Sequence, residues 1–435
     1  MSTISTNKIQ HRPLDPSKHE IRVLSFENDT AAHGQLRLHL HHVSLDDWKP
    51  EYLSFRERNA PSTPVFGLSE AWSGRFEFTF RTPNTEVHDT ITRFTWGDYI
   101  CLSWKDWDGN GTEEQHPTIF VDGAAVRVSK MLAAALRDLR KSYECKVGLR
   151  VWVDTLCVDQ EDVGERNAHV LRVREIFGTA FSVTVWTKEE SDLWVTGLSE
   201  PGEMLLLCEI MMRMYGMRVL EELLGVRERD WGANETEDGE VMAMVQDVEV
   251  LVFDQVYWAG ESDEEDELGV GKLHLRNLVA AELTGLFQKG YWSRLWAIQE
   301  LAVSPTMSMV QWGEMILHLS TLQAVCELIF TRSHPQLLSV VLLWVQPKLD
   351  LIAFISTWRA LGAASETEPP LSDEYLGMLK HLAETSTPSP ARDKIYALLG
   401  LLPSSVSAAV TIDYAREASE AVGEFASAVP RWDQV

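Results

Sequence analysis

The sequence predicts an α/β protein: an open sheet flanked by helices, with a mostly helical C-terminal half. Three observations carry that expectation. Tyr99–Trp104 is a nearly continuous apolar run of strand length, the pattern of a strand buried on both faces. Leu149–Leu156, a helical stretch from Asp162 to Ala180 and the β-branched run Ser182–Trp186 then follow one another, the strand–helix–strand unit of a parallel sheet. Beyond residue 190, apolar residues recur mostly at helical spacing.

Taken in order, residues 1–95 form a lead-in with two strand-like runs, Ile21–Phe26 and the alternating Leu36–Val43, before a stretch rich in Pro, Ser and Thr. Thr118–Val128 reads as a hairpin turning at Asp122-Gly123, a dipeptide that supplies the positive φ angles of a tight primed turn. Ser129 is placed to cap a helix with the apolar stripe Val128, Met131, Leu132, Ala135, Leu136 and Leu139. Asp162 and Glu165 have the reciprocal spacing of a capping box, and the helix they open carries Val170, Val173, Ile176, Phe177 and Ala180 on one face. Residues 96–190 are thus the α/β core. The segment 191–290 contains the amphipathic stretch Met204–Leu224 and an acidic insertion at 228–269, where the like-charge block Glu261–Glu267 repels itself into a solvated loop. Residues 291–435 complete the helical half, and no repeat of fixed period points to a solenoid or propeller.

With 435 residues and 45% hydrophobic content, the chain can bury a sizeable core. Lys and Arg total 39 against 65 for Asp and Glu, and a formal net charge of -26 argues against nucleic acid or anionic lipid as a partner. Five scattered cysteines without C-x-x-C spacing fit a reducing compartment, and the polar first twenty residues lack a secretory apolar core, so the expected location is cytoplasmic. Charges interrupt the apolar stretches Met204–Val226 and Leu337–Ile355, so no membrane span is expected.

No phosphate loop, dinucleotide fingerprint, nucleophile elbow or H-E-x-x-H motif occurs. Gly109-Asn-Gly111 sits among Asp106, Asp108, Glu113 and Glu114, whose charge repels phosphate, and reads as a loop. His39 and His41 share one face of a strand, but no Cys, Asp or Glu at ligand spacing completes a metal site, so a surface strand is the better reading and no metal is expected. Cys157 has no neighbouring histidine to act as a base and is read as a buried structural thiol.

Three blocks of unusual composition remain. They are Tyr99-Ile-Cys-Leu-Ser-Trp-Lys-Asp-Trp107; Val151-Trp-Val-Asp-Thr-Leu-Cys-Val-Asp-Gln-Glu-Asp162 with Glu165-Arg166; and Tyr291-Trp-Ser-Arg-Leu-Trp-Ala-Ile-Gln-Glu300. In order and spacing they resemble the fungal heterokaryon-incompatibility (HET) domain; Ala391–Leu401 resembles a segment downstream of it. The first block departs from the family pattern by one apparent extra residue before Gly109. The resemblance implies a TIR-like or flavodoxin-like sheet and a role in regulated cell death when genetically different hyphae fuse. In that reading protein partners or self-association carry the signal, and the acidic charge balance argues against nucleic acid.

Ser103, Trp107, Asp154 and Asp159 fall at or just past the carboxyl ends of expected strands, where open α/β sheets gather ligand-binding groups. In the functional reading, Asp154, Asp159 and Glu165 surround a ligand, Trp104 or Trp107 stacks on a flat ring, and Arg294 closes the site. Trp152, Gln160, Asp162, Arg166, Trp292, Trp296 and Gln299 complete the motif set. A TIR-like site of this kind cleaves the nicotinamide–ribose bond of NAD, with Glu165, Asp154 or Glu300 as candidate catalytic carboxylates; NAD is then a substrate, and no bound cofactor is required. The alternative is structural. Asp162 and Glu165 cap a helix, Arg166 pairs with a nearby carboxylate, Asp154 and Arg294 form a buried ion pair, and Trp292, Leu295, Trp296 and Gln299 are one packed helix face. The Asp393-Lys394 charges sit at a solvated helix start in that reading. A third possibility is a non-catalytic scaffold whose HET domain has diverged.

Overall fold

The structure, a computed structural model, describes residues 9–27, 35–46, 99–105, 116–146, 149–188, 202–224, 267–305, 308–313, 315–331, 339–364, 371–387 and 391–432. Trp107, the Gly109-Asn-Gly111 loop, most of the Pro-, Ser- and Thr-rich stretch and residues 228–266 of the acidic insertion lie outside these residues.

The lead-in contributes β1 (Glu20–Phe26) and β2 (Arg37–Ser44), antiparallel neighbours over the whole of β1. β3 (Tyr99–Trp104) is buried at every position, as its unbroken apolar run requires. The hairpin β4 (Thr118–Val121) and β5 (Ala124–Arg127) turns at Asp122 and Gly123, with φ of 47° and 78°. Ser129 caps α1 (Lys130–Lys141) by accepting from the Leu132 amide, and its apolar stripe is buried. The one-turn helix α2 (Tyr143–Lys146) leads to β6 (Arg150–Trp152).

The second core strand stops earlier than its composition suggests. The Asp154 carboxylate accepts the Thr155 amide at 2.7 Å and the chain turns into α3 (Asp154–Cys157), because a short Asp side chain competes locally with strand pairing. α4 (Val163–Thr179) and β7 (Ser182–Trp186) complete the crossover. Beyond them lie α5 (Glu203–Tyr215), α6 (Met217–Leu223), α7 (Glu267–Gln288) and α8 (Leu295–Ala302). The expected single helix Met204–Leu224 breaks at Gly216, and Glu267–Gly269 of the insertion begin α7. The helical half also contains a hairpin the periodicity did not reveal, β8 (Met309–Trp312) and β9 (Met315–His318). Then follow α9 (Leu319–Cys326), α10 (Ser339–Ala364), α11 (Asp373–Thr385), α12 (Ala391–Tyr396), α13 (Ser404–Ser407) and α14 (Ala418–Ala428). Among the described residues no helix is long and apolar enough to cross a membrane.

One nine-stranded sheet runs β5-β4-β2-β1-β6-β3-β7-β8-β9. Its centre, β6-β3-β7-β8, is parallel, and in chain order those strands are second, first, third and fourth. That is the doubly wound arrangement of flavodoxin-like sheets, whose ligand crevice lies beyond the carboxyl ends of the strands. Side-chain alternation assigns the helices to faces. Tyr99 donates to the Ile176 carbonyl on α4 at 2.7 Å, whereas Trp186, paired with Trp104, donates to Asp138 on α1 at 3.2 Å. α4 and α1 therefore cover opposite faces of the sheet.

Candidate functional site

The face covered by α4 and α8 encloses a cavity of about 310 Å³ beyond the ends of β3 and β6. Glu300, from α8, is its most buried acid, 4% exposed. The hydroxyl of Ser103, near the end of β3, donates to Glu300 Oε2, and Arg294 Nη1 donates to the same oxygen at 2.8 Å. A serine hydroxyl has one proton; with it given to Glu300, the Tyr291 hydroxyl donates to Ser103 Oγ at 2.6 Å. Both protein donors to Glu300 converge on Oε2, and among the described residues Oε1 takes no such bond. Burial pushes the Glu300 carboxyl above its ordinary range, with Arg294 and Ser103 opposing. Burial also pushes the Tyr291 hydroxyl up, so it stays a donor.

Asp154, on the first turn after β6, also lines the cavity, and its main-chain carbonyl accepts from Gln160 Nε2 at 3.0 Å. The buried ion pair expected between Asp154 and Arg294 is not the one formed: Arg294 bonds Glu300, and Asp154 acts on the guanidinium only through space. The reason is backbone geometry. Tyr291–Glu300 is not one helix; a 3-10 turn at Gly290–Ser293 is followed by extended backbone at Arg294 before α8 begins. Trp292 accordingly leaves the face of Trp296, packing edge-on against Phe287 and Tyr291 in the core, while Trp296 lines the cavity.

The opposite wall comes from α4 and the C-terminal segment. Trp152 stacks on His169 with ring centroids 5.2 Å apart, and burial pushes the imidazole down to about 4, keeping it neutral. The Arg166 guanidinium lies 4.8 Å from the Tyr414 ring centroid, and Tyr414 bonds Asp393. Asp393 is not at a solvated helix start; it lines the cavity, and burial raises its carboxyl.

The cavity thus gathers Trp152, Asp154, Gln160, Arg166, Arg294, Trp296 and Glu300 from the sequence-derived set. Others stand apart. Trp104 is buried on the α1 face, away from Ser103. Asp162 caps α4 by accepting the Glu165 amide at 3.1 Å, but the reciprocal bond is not made: the Glu165 carboxylate accepts the Asp159 amide at 2.8 Å and a two-pronged Arg22 guanidinium at 2.5 and 3.0 Å. Asp159 in turn accepts the Glu161 amide at 3.0 Å. Gln299 is fully buried against Gly400, where a Cβ would collide with its amide. Cys157 is a buried thiol pushed up to about 12 by burial. Tyr291, His169 and Tyr414 were not singled out from sequence, and Asp393 was read only as a helix-start charge. Tyr291 lay within the third block and Asp393 within Ala391–Leu401; His169 and Tyr414 have no local pattern that marks them. No cluster suited to a metal ion occurs among the described residues.

Comparison with known proteins fits this assembly. The family described as heterokaryon incompatibility protein (HET) matches residues 94–205, which include Ser103, Asp154 and Arg166. Heterokaryon incompatibility protein 6, OR allele, from Neurospora crassa is 31% identical over 117 residues, 25% of this chain and 17% of that protein. The chain therefore aligns with well under two thirds of that relative. No solved structure matches. Over residues 94–205 the chain is thus similar to the heterokaryon-incompatibility (HET) domain family.

Proposed function

We propose that the chain acts in self/non-self recognition of the heterokaryon-incompatibility type, its HET domain passing a regulated cell-death signal in the cytoplasm through protein partners or self-association. The supporting observation is that three motif blocks, two within the matched domain and one 86 residues or more beyond it, contribute Leu102, Asp154, Arg294 and Glu300 to the lining of one cavity. Inducible expression in a filamentous fungus tests it. Growth arrest is expected with the native chain and not with Arg294→Ala at equal protein level; unimpeded growth with the native chain would instead favour a diverged, non-catalytic scaffold.

A second reading is an assembly-activated, TIR-like enzyme that cleaves NAD. It is favoured by Glu300, whose Oε1 has no protein donor among the described residues where it borders the cavity. There a carboxylate stabilises the positive charge on ribose as the bond from C1′ to the nicotinamide nitrogen breaks. The electron pair leaves with nicotinamide and water adds to C1′, with no net redox change. Glu300 and Asp154 suit this role better than Glu165, which Arg22 already neutralises. Incubating purified oligomer with NAD and assaying nicotinamide decides it: release that Glu300→Gln abolishes is expected, and no release in any assembly state removes the enzyme reading.

A further inference from the structure

We propose that the C-terminal segment 392–416, outside the residues matched by the HET family, supplies the wall that decides what the cavity admits, with Tyr414 as its specificity-determining side chain. The domain contributes Trp152, Asp154 and Arg166 to the lining, and residues nearly 250 positions later contribute Asp393 and Tyr414, the latter against Arg166. Tyr414 is fixed from both directions. From the C-terminal layer, Arg392 Nη1 donates to its carbonyl at 2.7 Å, and Tyr396 packs edge-on against its ring at 5.5 Å. From the HET domain, Asn167 Oδ1 accepts its amide at 3.1 Å and Arg166 lies over the ring at 4.8 Å.

A ring held this way sets the width of the opening, because neither mount can shift without breaking hydrogen bonds. Asp393, bonded to the Tyr414 hydroxyl, adds polarity to the same wall. At about 310 Å³, at the small end of ligand sites, the space suits one small organic molecule bearing O–H or N–H donors for Glu300 Oε1 and the Asp154 carboxylate. This wall requires only the cavity and stands whether or not NAD occupies it.

Carboxyl footprinting of the full chain with a water-soluble carbodiimide and glycine ethyl ester, mapped by peptide mass, tests the wall. Tyr414→Ala is expected to speed labelling of Glu300 and Asp393 about tenfold, the size of a local opening. Glu209, buried in a separate network with His318, stays slow and reports that the fold is intact. Tyr414→Phe keeps the ring and drops the hydroxyl, so Asp393 labels faster while Glu300 does not. Native rates at Glu300 and Asp393 in Tyr414→Ala overturn the proposal. Should that variant unfold, with Glu209 labelling too, Tyr414→Phe decides, and an unchanged Asp393 rate overturns it.

Discussion

Arg294 and Glu300 stand six positions apart, and their side chains meet at 2.8 Å because the backbone at Arg294 is extended, with φ of −75° and ψ of 123°. In an unbroken helix those positions would be separated by about 9 Å along the axis and would face different directions. The break between the 3-10 turn and α8 therefore creates the charge pair at the cavity edge.

Arg294→Ala leaves the Glu300 carboxylate buried with only Ser103 as a donor, and removing one partner of a buried pair costs on the order of 3 kcal/mol. Burial already raises the Glu300 carboxyl, and losing the cation raises it further. An acid with a raised folded pKa keeps its stability contribution at low pH and loses it as pH climbs through that value. Denaturant midpoints should thus show the deficit growing from acid to neutral pH; a deficit independent of pH refutes the pairing.

Arg22 and Glu165 form a second buried pair, 143 positions apart, that clamps the start of α4 to β1. Glu165→Gln and Arg22→Ala should each lower stability by ~3 kcal/mol. In the double variant the losses should fall well short of additive, since both remove one interaction. Thermal or denaturant unfolding measures this. Additive losses would mean that the two side chains act independently.

The sheet was legible where a pattern was both local and forced by burial. Tyr99–Trp104 could only be a central strand, Asp122-Gly123 only a tight turn, and Asp162 capped α4 as its spacing required. β8 and β9 escaped notice because four-residue strands between helices leave too short a period to read. Asp154, Arg294 and Glu300 could be gathered from motifs, whereas His169, Asp393 and Tyr414 enter through contacts between distant segments. Glu165 was read as a capping-box or ligand-facing acid, and its partner, Arg22, was not foreseen because it lies in the lead-in, far from any motif.

Glu209 on α5 accepts the His318 ring at 2.6 Å and the His318 amide at 3.1 Å, with Arg213 at 3.0 Å. Burial works to raise its carboxyl, but the His318 bond leads the opposing interactions, and the balance holds it down at about 2. A depressed acid stabilises the fold above its unfolded value of 4.5, and that contribution is lost as pH falls toward 2. The shift corresponds to on the order of 3 kcal/mol. Glu209→Gln should be less stable than the native chain at neutral pH, with the gap closing across this window in acid denaturation. A constant gap would show that another group governs it.

His169 titrates in a different window. Stacked on Trp152 and depressed to about 4 by burial, with Asp154 and Glu165 opposing and Arg172 adding to the effect, it must stay neutral to remain in place. A base with a lowered folded pKa supports the fold above its unfolded value of 6.5, and that support fades as pH falls toward 4. His169→Phe keeps an aromatic ring against Trp152 and removes the titrating nitrogen. Its denaturation midpoint should therefore decline less than that of the native chain between these pH values, with little difference between the two below pH 4 beyond a constant offset. Parallel curves for the two proteins across the interval would mean that the imidazole is not held neutral by the cavity wall.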